Sequence, residues 1–394
     1  MPWKGKSIME LREEFIRKAL RAEKPFRHLC QEYGISEKTG YKWKKRFMEK
    51  GTSGLADMSR RPKKSPKQLD EDTVIKIIRI RTAHPYWGPK KILILLKKEL
   101  KEIPSESSIK RILDKAKLTK KVKVKKVDPG TKGNIFRKMI QAEEPNDVWC
   151  MDFKGYWYSD NEKIIPFTVR DLYSRKILEI RAVPTTSTEY VRQVLSELFR
   201  KYGLPKVIRS DNGEPFASSS NQLGLTRLSA WLIRLGIRPD RTKPGTPGQN
   251  GSLERMHADM ARELEKKISG GIFACQAAFD EWREEYNSLR PNEAIGMQVP
   301  DDLFQPSPRK YDGDPDEIIY PSSFAVRHIN NKGQVKFKGH EIFVSKALIG
   351  FSVGLEDISE NDFRLWLAEF PLGTVHMNTD SFDFITEDTG NSTI

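Results

Sequence analysis

The chain carries 394 residues, 69 Lys and Arg against 54 Asp and Glu, a formal net charge of +15 and 37% hydrophobic residues. No apolar run reaches about 18 residues and Met1-Pro2-Trp3-Lys4 lacks the apolar stretch of a signal peptide. Membrane association is therefore not expected, and an intracellular, cytoplasmic protein of roughly two to four domains is. The three cysteines, Cys30, Cys150 and Cys275, have no close partner and no histidines at ligand spacing, which argues against a disulfide framework and a structural zinc site.

The charge is unevenly spread. Residues 1–144 hold 39 basic and 18 acidic side chains, a balance of +21, whereas the remaining 250 hold 30 and 36, a balance of −6. A positive field confined to one end points to a polyanion, nucleic acid first, because phosphates neutralised by Lys and Arg release counterions. Within that end, Ile8, Leu11, Phe15, Ile16, Ala19 and Leu20 recur at helical spacing and predict a helix that stops before Pro25. A second helix is predicted over Phe26 to Tyr33. Gly34 suits a left-handed turn and the Ser36 hydroxyl suits the cap of a third helix. Gly40, Trp43 and Phe47 then face inward, while Lys38, Tyr41, Lys42 and Lys45 line the opposite side, as a helix-turn-helix reader entering a major groove requires.

A basic, proline-rich linker over 59–68, with Arg60 and Arg61 as candidate DNA contacts, separates this unit from a second helical one. Its predicted helices are Val74 to Thr82, Pro89 to Leu100, and a last one capped near Ser105, with Ile109, Ile112, Leu113 and Ala116 buried and Ser107, Lys110 and Arg111 outward. This unit is read either as a second DNA-binding domain or as a protein-contact module. Five lysines between Thr119 and Lys126 suit an extended arm along phosphates or a linker.

From Pro145 the pattern alternates strands and helices. Asp147 to Phe153 is an apolar strand that carries Asp152; Ile164 to Val169 and Lys176 to Val183 continue it as an antiparallel meander. Thr186, three residues before Glu189, is the expected capping-box start of a helix with Val191, Val194, Leu195, Leu198, Phe199 and Tyr202 buried. Lys206 to Asp211 is a short strand ending in an acid. A Gly- and Pro-rich loop over 242–251 leads into a helix with Leu253, Met256, Met260, Leu264 and Ile268 inward and Glu254 on its first turn off that stripe.

Trp149-Cys150-Met151-Asp152-Phe153, Ser210-Asp211-Asn212-Gly213-Glu214-Pro215-Phe216 and Pro244-Gly245-Thr246-Pro247 with Gln249, Asn250, Gly251, Glu254 and Arg255 resemble the catalytic core of bacterial insertion-sequence transposases of the DDE superfamily, which includes retroviral integrases. Gly34-Ile35-Ser36, Thr39, Trp43 and Trp87-Gly88-Pro89-Lys90-Lys91 resemble the front of bacterial members, so the likeness covers about three quarters of the chain. It implies an α/β RNase H-like core and places the family's acid triad on Asp152, Asp211 and Glu254, holding two Mg²⁺ (Mn²⁺ as substitute). It also implies contacts to double-stranded DNA, both terminal inverted repeats and target, from Lys243, Gln249, Asn250, Arg255 and His257, work as a homodimer or higher oligomer, and a nucleoid-associated location. His257, on the Glu254 face, is read equally as a surface residue, and Asn250 as a helix cap. Cys150 stands where relatives often have glutamine and Asn292 where histidine is common; 42 residues separate Asp211 from Glu254.

The C-terminal end reads as short strands at Phe324 to Ile329, Val335 to Lys338, Ile342 to Val344, Phe351 to Leu355 and Phe363 to Leu367, with a hairpin turn at Asn330 to Gly333. A small SH3-like β-barrel and an acidic, disordered tail from Asp380 are expected. The resulting plan is an all-α helix-turn-helix front (1–58 and 69–118, with linkers 59–68 and 119–144), an α/β core (145–310), an all-β module (311–379) and a tail (380–394). The expected activity is DNA end cleavage and strand transfer. The rivals are a catalytically silent DNA-binding regulator on the same fold and a metal-dependent nuclease that does not join strands.

Overall fold

The computed structural model describes residues 7–58, 69–119, 140–213, 215–216, 225–242, 251–314 and 317–384. The chain divides into two compact units, Met1–Asp70 and Glu71–Ile394.

In the first unit, α1 (Ile8–Leu20) begins at a capping box: Ser7 Oγ accepts from the Glu10 amide at 3.2 Å and the Glu10 carboxylate accepts from the Ser7 amide at 2.6 Å. α2 (Phe26–Glu32) follows Pro25, and Gly34, at φ 60°, makes the left-handed turn into α3 (Glu37–Lys50), capped by Ser36. Phe15, Ile16, Leu29, Cys30, Trp43 and Leu55 form the core. Gly40 lets α3 approach closely, since a Cβ there would stand 2.7 Å from Cys30 Sγ. Arg12 locks the unit, its guanidinium lying 4.0 Å over the Trp43 ring and donating to the Leu55 carbonyl at 2.8 Å.

The second unit opens with α4 (Glu71–Ala83), α5 (Pro89–Glu99) and α6 (Glu106–Lys115), packed around Ile77, Ile92, Leu96, Ile109 and Leu113. Ser105 caps α6 as expected. This bundle is docked on the domain behind it, as described below.

That domain is built on a mixed sheet. β1 (Val148–Phe153) runs antiparallel to β3 (Glu162–Asp171), β3 antiparallel to β4 (Ile177–Val183), and β1 parallel to β5 (Val207–Ser210), which is parallel to β6 (Arg238–Arg241). The short β2 (Trp157–Ser159) pairs with the start of β3. Helices cover both faces: α7 (Thr188–Tyr202) and α8 (Arg227–Arg234) pack on Trp149, Met151, Phe167 and Ile208, while α9 (Gly251–Leu264) and α10 (Gly271–Ser288) pack on Val148, Cys150, Ile177 and Val207. The period-2 alternation of strands thus assigns even positions of β1 and odd positions of β5 to the α9 side. α7 starts one residue later than expected: Ser187, not Thr186, is the cap, its Oγ accepting from the Tyr190 amide at 3.3 Å. Among neighbouring hydroxyls the one with extended backbone at the junction serves. β2, β6, α8 and α10 had no counterpart in the sequence reading.

The C-terminal module is all-β but is not a closed barrel, which corrects the SH3-like expectation. β7 (Ala325–His328), β10 (Ser352–Asp357), β11 (Asp362–Leu367), β12 (Phe370–His376) and β13 (Ser381–Phe384) form a sheet in the order β13-β12-β11-β10-β7, and β8 (Gln334–Phe337) and β9 (His340–Phe343) form a separate ribbon. The end strands β13 and β7 are not paired with each other, so the sheet stays open. The hairpin turn stands where the sequence placed it, with Gly333 at φ 81° and Asn330 Oδ1 accepting from the Lys332 and Gln334 amides. β13 falls inside the span expected to be disordered; residues 385–394 lie outside the described ones. The module shares a core with α8 through Leu225, Ala230 and Ile233. Among the described residues no helix is long and apolar enough to cross a membrane.

Candidate active site

The acids gather because of strand register. β1 and β5 pair in parallel with Cys150 opposite Arg209. Two residues further on, Asp152 and Asp211 come level at the C-terminal ends of adjacent strands. The same alternation that sends Cys150 and Val207 to the α9 side sends both aspartates there. Thr168 of β3 is the direct antiparallel partner of Asp152, so Thr168, Asp152 and Asp211 form a row across three strands. Above that row lies the first turn of α9, with Glu254 exposed and Leu253 and Met256 buried.

The electrostatics agree with this placement. Burial and the negative charges of Asp211 and Glu254 push the Asp152 carboxyl up to about 7, against the partial relief of the Phe153 amide and Lys154. The Asp211 carboxylate also accepts from the Gly213 amide at 3.1 Å, which fixes the turn after β5. Hard oxygen donors of this kind suit Mg²⁺ or Mn²⁺ rather than a softer metal. Among the described residues, however, no three His, Cys, Asp or Glu side chains form a ready metal cage. The donor chemistry fits a divalent ion, and the mutual repulsion of the acids is what such an ion relieves.

His257 is placed differently from the sequence reading. It is 5% exposed and belongs to the core beneath the acids, with Nε2 2.8 Å from Thr168 Oγ1. Burial, together with the positive Lys154 and Arg170, pushes its pKa down to about 3. Nδ1 stands 3.9 Å from Asp152 Oδ2, but a neutral ring makes no ion pair there. A buried, uncharged imidazole is not a surface contact for DNA. His257 thus joins the buried stripe of α9 with Leu253, Met256 and Met260, while Glu254 stays exposed.

The other expected DNA contacts divide three ways. Lys38, Tyr41, Lys42 and Lys45 are exposed along one side of α3, with Tyr41 56% exposed against the Phe26 ring. Ser107, Lys110 and Arg111 are exposed on α6, and Arg255 is exposed beside Glu254. Arg60, Arg61, Lys243, Gln249 and Asn250 lie outside the described residues, as does Glu214.

Two groups escaped the sequence reading. Thr168 carried no signal beyond its place in a strand. Arg170 and Arg175 flank Asp171 and Ser174, a charged turn in an apolar meander that was taken only as a connection. The docking of the second helical bundle on the core also went unread. Trp87, 1% exposed, stacks on His84 with centroids 3.9 Å apart, and His84 Nδ1 meets Glu285 of α10 at 2.9 Å. Tyr86 lies 5.7 Å from the Arg262 guanidinium and 5.1 Å from Lys267 Nζ at the end of α9. The protein-contact alternative thus describes one face of this bundle, and the exposed side of α6 leaves the other available.

Comparison with known proteins bears on the class. Residues 142–247 and 235–300 match models of the integrase core domain, 11–63 a helix-turn-helix domain and 39–113 a homeodomain-like domain. The middle of the chain is thus similar to integrase core domains, and the segment before it to helix-turn-helix domains. Among its relatives is the insertion element IS476 uncharacterized 39.2 kDa protein of Xanthomonas euvesicatoria, 25% identical over 64% of this chain and 71% of that protein. Another is the insertion element IS407 uncharacterized 31.7 kDa protein of Burkholderia multivorans, 27% identical over 42% of this chain and 60% of that one. Both of these relatives are insertion-element proteins by name. The Gag-Pol polyprotein of baboon endogenous virus is 26% identical over 50% of this chain and 11% of its own length. Among solved structures, the HTLV-2 integrase catalytic core domain in complex with magnesium superimposes with a TM-score of 0.31 at 13% identity, covering 42% of this chain and all of that one. A simian T-cell lymphotropic virus intasome in complex with a PP2A regulatory subunit gives 0.34 at 14% identity, covering 75% and 97%.

Proposed function

We propose that this protein is a DNA transposase which binds the terminal inverted repeats of a mobile element, cleaves the DNA ends and transfers their 3′-hydroxyls to target DNA. The observation that carries the reading is the level placement of Asp152 and Asp211 at the ends of adjacent parallel strands under the Glu254 turn, with Asp152 held at about 7 by burial and by its neighbours' charge. Asp152, Asp211 and Glu254 would hold two Mg²⁺ or Mn²⁺ ions, and these, when bound, supply the charge that stabilises the attacking and leaving oxygens of a phosphodiester.

The chain's own groups do the rest. Asp152 is positioned by a hydrogen-bonded strand, Asp211 directly follows one, and Glu254 sits on a helix whose Leu253, Met256 and Met260 are buried, so the donors keep their places as DNA arrives. No side chain is asked to form a covalent intermediate. The exposed lysines and Tyr41 of α3 enter the major groove, and α6 offers a second basic face, which together give the end recognition. Pairing two element ends calls for at least a dimer.

Strand transfer on labelled terminal-repeat duplex, comparing wild type with Asp211→Asn and Asp152→Asn, tests the reading. Both variants are expected to bind duplex at wild-type affinity and to yield no joined product. Joined product equal to wild type removes the triad. Cleavage without joining by the wild type favours the nuclease, and neither activity with retained DNA binding favours the regulator.

A further inference from the structure

On the α9 side of the sheet, a cavity of about 290 Å³ is walled by Lys91, Arg170, Arg175, Ser252, Arg255 and Arg290, with two carboxylates, Asp259 and Glu293, also on its wall. Five cations around one small space need an explanation, and their hydrogen bonds supply part of it. Arg290, 5% exposed, is committed to Asp259 at 2.7 Å and Glu263 at 3.1 Å.

Arg170 and Arg175 have no such partner among the described residues. Arg170, 3% exposed, donates only to neutral oxygens: the Arg175 and Ser252 carbonyls, Ser252 Oγ and the Tyr286 hydroxyl. Arg175 Nη1 donates to the same Ser252 Oγ at 2.7 Å, and its Nε is buried with no hydrogen-bond partner. The adjacent buried acid, Asp171, has its oxygens turned to the Asn146 amide and to the Ser174 amide and hydroxyl. Arg255 adds an exposed guanidinium at the mouth. Lys91 feels the crowding, its pKa pushed down to about 8 by burial and by Arg290.

One buried and one half-buried guanidinium sharing a single hydroxyl are poorly compensated, and an anion with several acceptor oxygens is the group that compensates them. The donors approach from β3, from the turn after it and from α9, more directions than a planar carboxylate can answer. We propose that this cavity is a phosphate-binding site that seats one tetrahedral phosphate group. Ser252 and Arg255 of its wall flank Glu254 on α9, which makes a DNA backbone phosphate the favoured source, and a free phosphate the other. The choice of DNA rests on the transposase reading; the phosphate site does not.

The test uses the full chain at constant ionic strength. Thermal denaturation of wild type, Arg175→Gln and Arg255→Gln is followed against inorganic phosphate with chloride as the control anion. Arg255→Gln lies on an exposed helix surface and keeps the fold even if Arg175→Gln does not. Phosphate is expected to raise the wild-type melting temperature saturably, and each variant to weaken its apparent affinity by at least about tenfold, the loss of one charge-assisted hydrogen bond. Displacement of phosphate by duplex DNA assigns the site to a DNA phosphate; phosphate binding that persists on saturation with duplex assigns it to the free ion. No rise beyond that in chloride, or an equal rise in wild type and Arg255→Gln, overturns the site. Failed strand transfer with intact phosphate binding sinks the transposase reading alone.

Discussion

Thr168 and His257 meet across the interface between sheet and helix, Oγ1 to Nε2 at 2.8 Å, and Thr168 Oγ1 also donates to the Asp152 carbonyl at 3.1 Å. With its proton given to Asp152, the threonine oxygen accepts from the ring, so His257 carries its hydrogen on Nε2. The result is a buried relay that ties the strand bearing Asp152 to the helix bearing Glu254. Thr168→Val keeps the shape and removes both bonds, leaving the buried His257 N–H unmatched, while the Asp152 carbonyl keeps its place in the β1–β3 ladder. A loss of about 1–3 kcal/mol in urea denaturation is expected, with strand transfer falling more than duplex affinity. Unchanged stability and activity contradict a positioning role.

The carboxyl of Asp152 sets a pH dependence. Its folded pKa of about 7 lies above the ordinary 3.8, so between those values the folded state holds more protons than the unfolded one. The stability from the protonated form is fully present below 3.8 and is lost as pH rises to about 7. Above that, the metal-free protein carries an uncompensated cluster of acids. Asp152→Asn is expected to stabilise the metal-free protein at about pH 8 by up to about 4 kcal/mol. In wild type the rise in melting temperature caused by Mg²⁺ is expected to grow from about pH 6 to about pH 8 as the ligands deprotonate. In Asp152→Asn that rise disappears. A Mg²⁺ effect that is flat with pH, or equal in the variant, speaks against these ligands.

Much of this site was legible in the sequence because it sits on regular elements. Asp152 interrupts an apolar strand, Asp211 ends another and Glu254 lies off a clean helical stripe, so local periodicity gives each its element, and the resemblance to the transposase core joins them as a triad. What periodicity does not carry is pairing. The level register of Asp152 with Asp211, the partnership of Thr168 with Asp152, and the edge strand β6, whose Arg238 to Arg241 reads as polar, depend on contacts between segments far apart in the chain. His257 was misplaced for a related reason. A histidine at a helical i+3 position looks solvent-facing until the sheet beneath it supplies Thr168. The barrel expectation rested on five strands; β12 and β13 extend the sheet to the order β13-β12-β11-β10-β7, a pairing that local alternation does not carry.

The exposed side of α3 leads to a salt-dependence prediction. If Lys38, Lys42 and Lys45 each neutralise a phosphate, replacing one with Gln lowers the magnitude of the log–log salt slope of duplex binding by about 0.9. Tyr41→Ala is expected to weaken binding to the terminal repeat relative to unrelated duplex while leaving that slope alone, because an aromatic ring reads bases rather than charge. Fluorescence anisotropy over a salt series measures both. Lysine variants that keep the wild-type slope would mean that α3 faces away from DNA.

Trp87 holds the second helical bundle to the core. It is fully buried, stacks on His84 and shares a cavity wall with Leu264 at the end of α9 and with Trp282 and Glu285 in the last turns of α10, whereas the His84 to Glu285 contact beside it is partly exposed. Area and packing therefore dominate the joint, and Trp87→Ala is expected to lose about 3–5 kcal/mol. Glu285→Gln is expected to change stability by less than about 1 kcal/mol, as for other exposed pairs. Since α6 is carried by the same bundle, loosening the joint uncouples its basic face from the acid row. Trp87→Ala is accordingly expected to reduce strand transfer more steeply than duplex affinity. Hydrogen exchange at Leu96 and Ile109 separates this from general unfolding: protection lost there first, while Ile164 and Val207 stay protected, marks release of the bundle. Simultaneous loss at all four positions marks collapse of the whole unit instead.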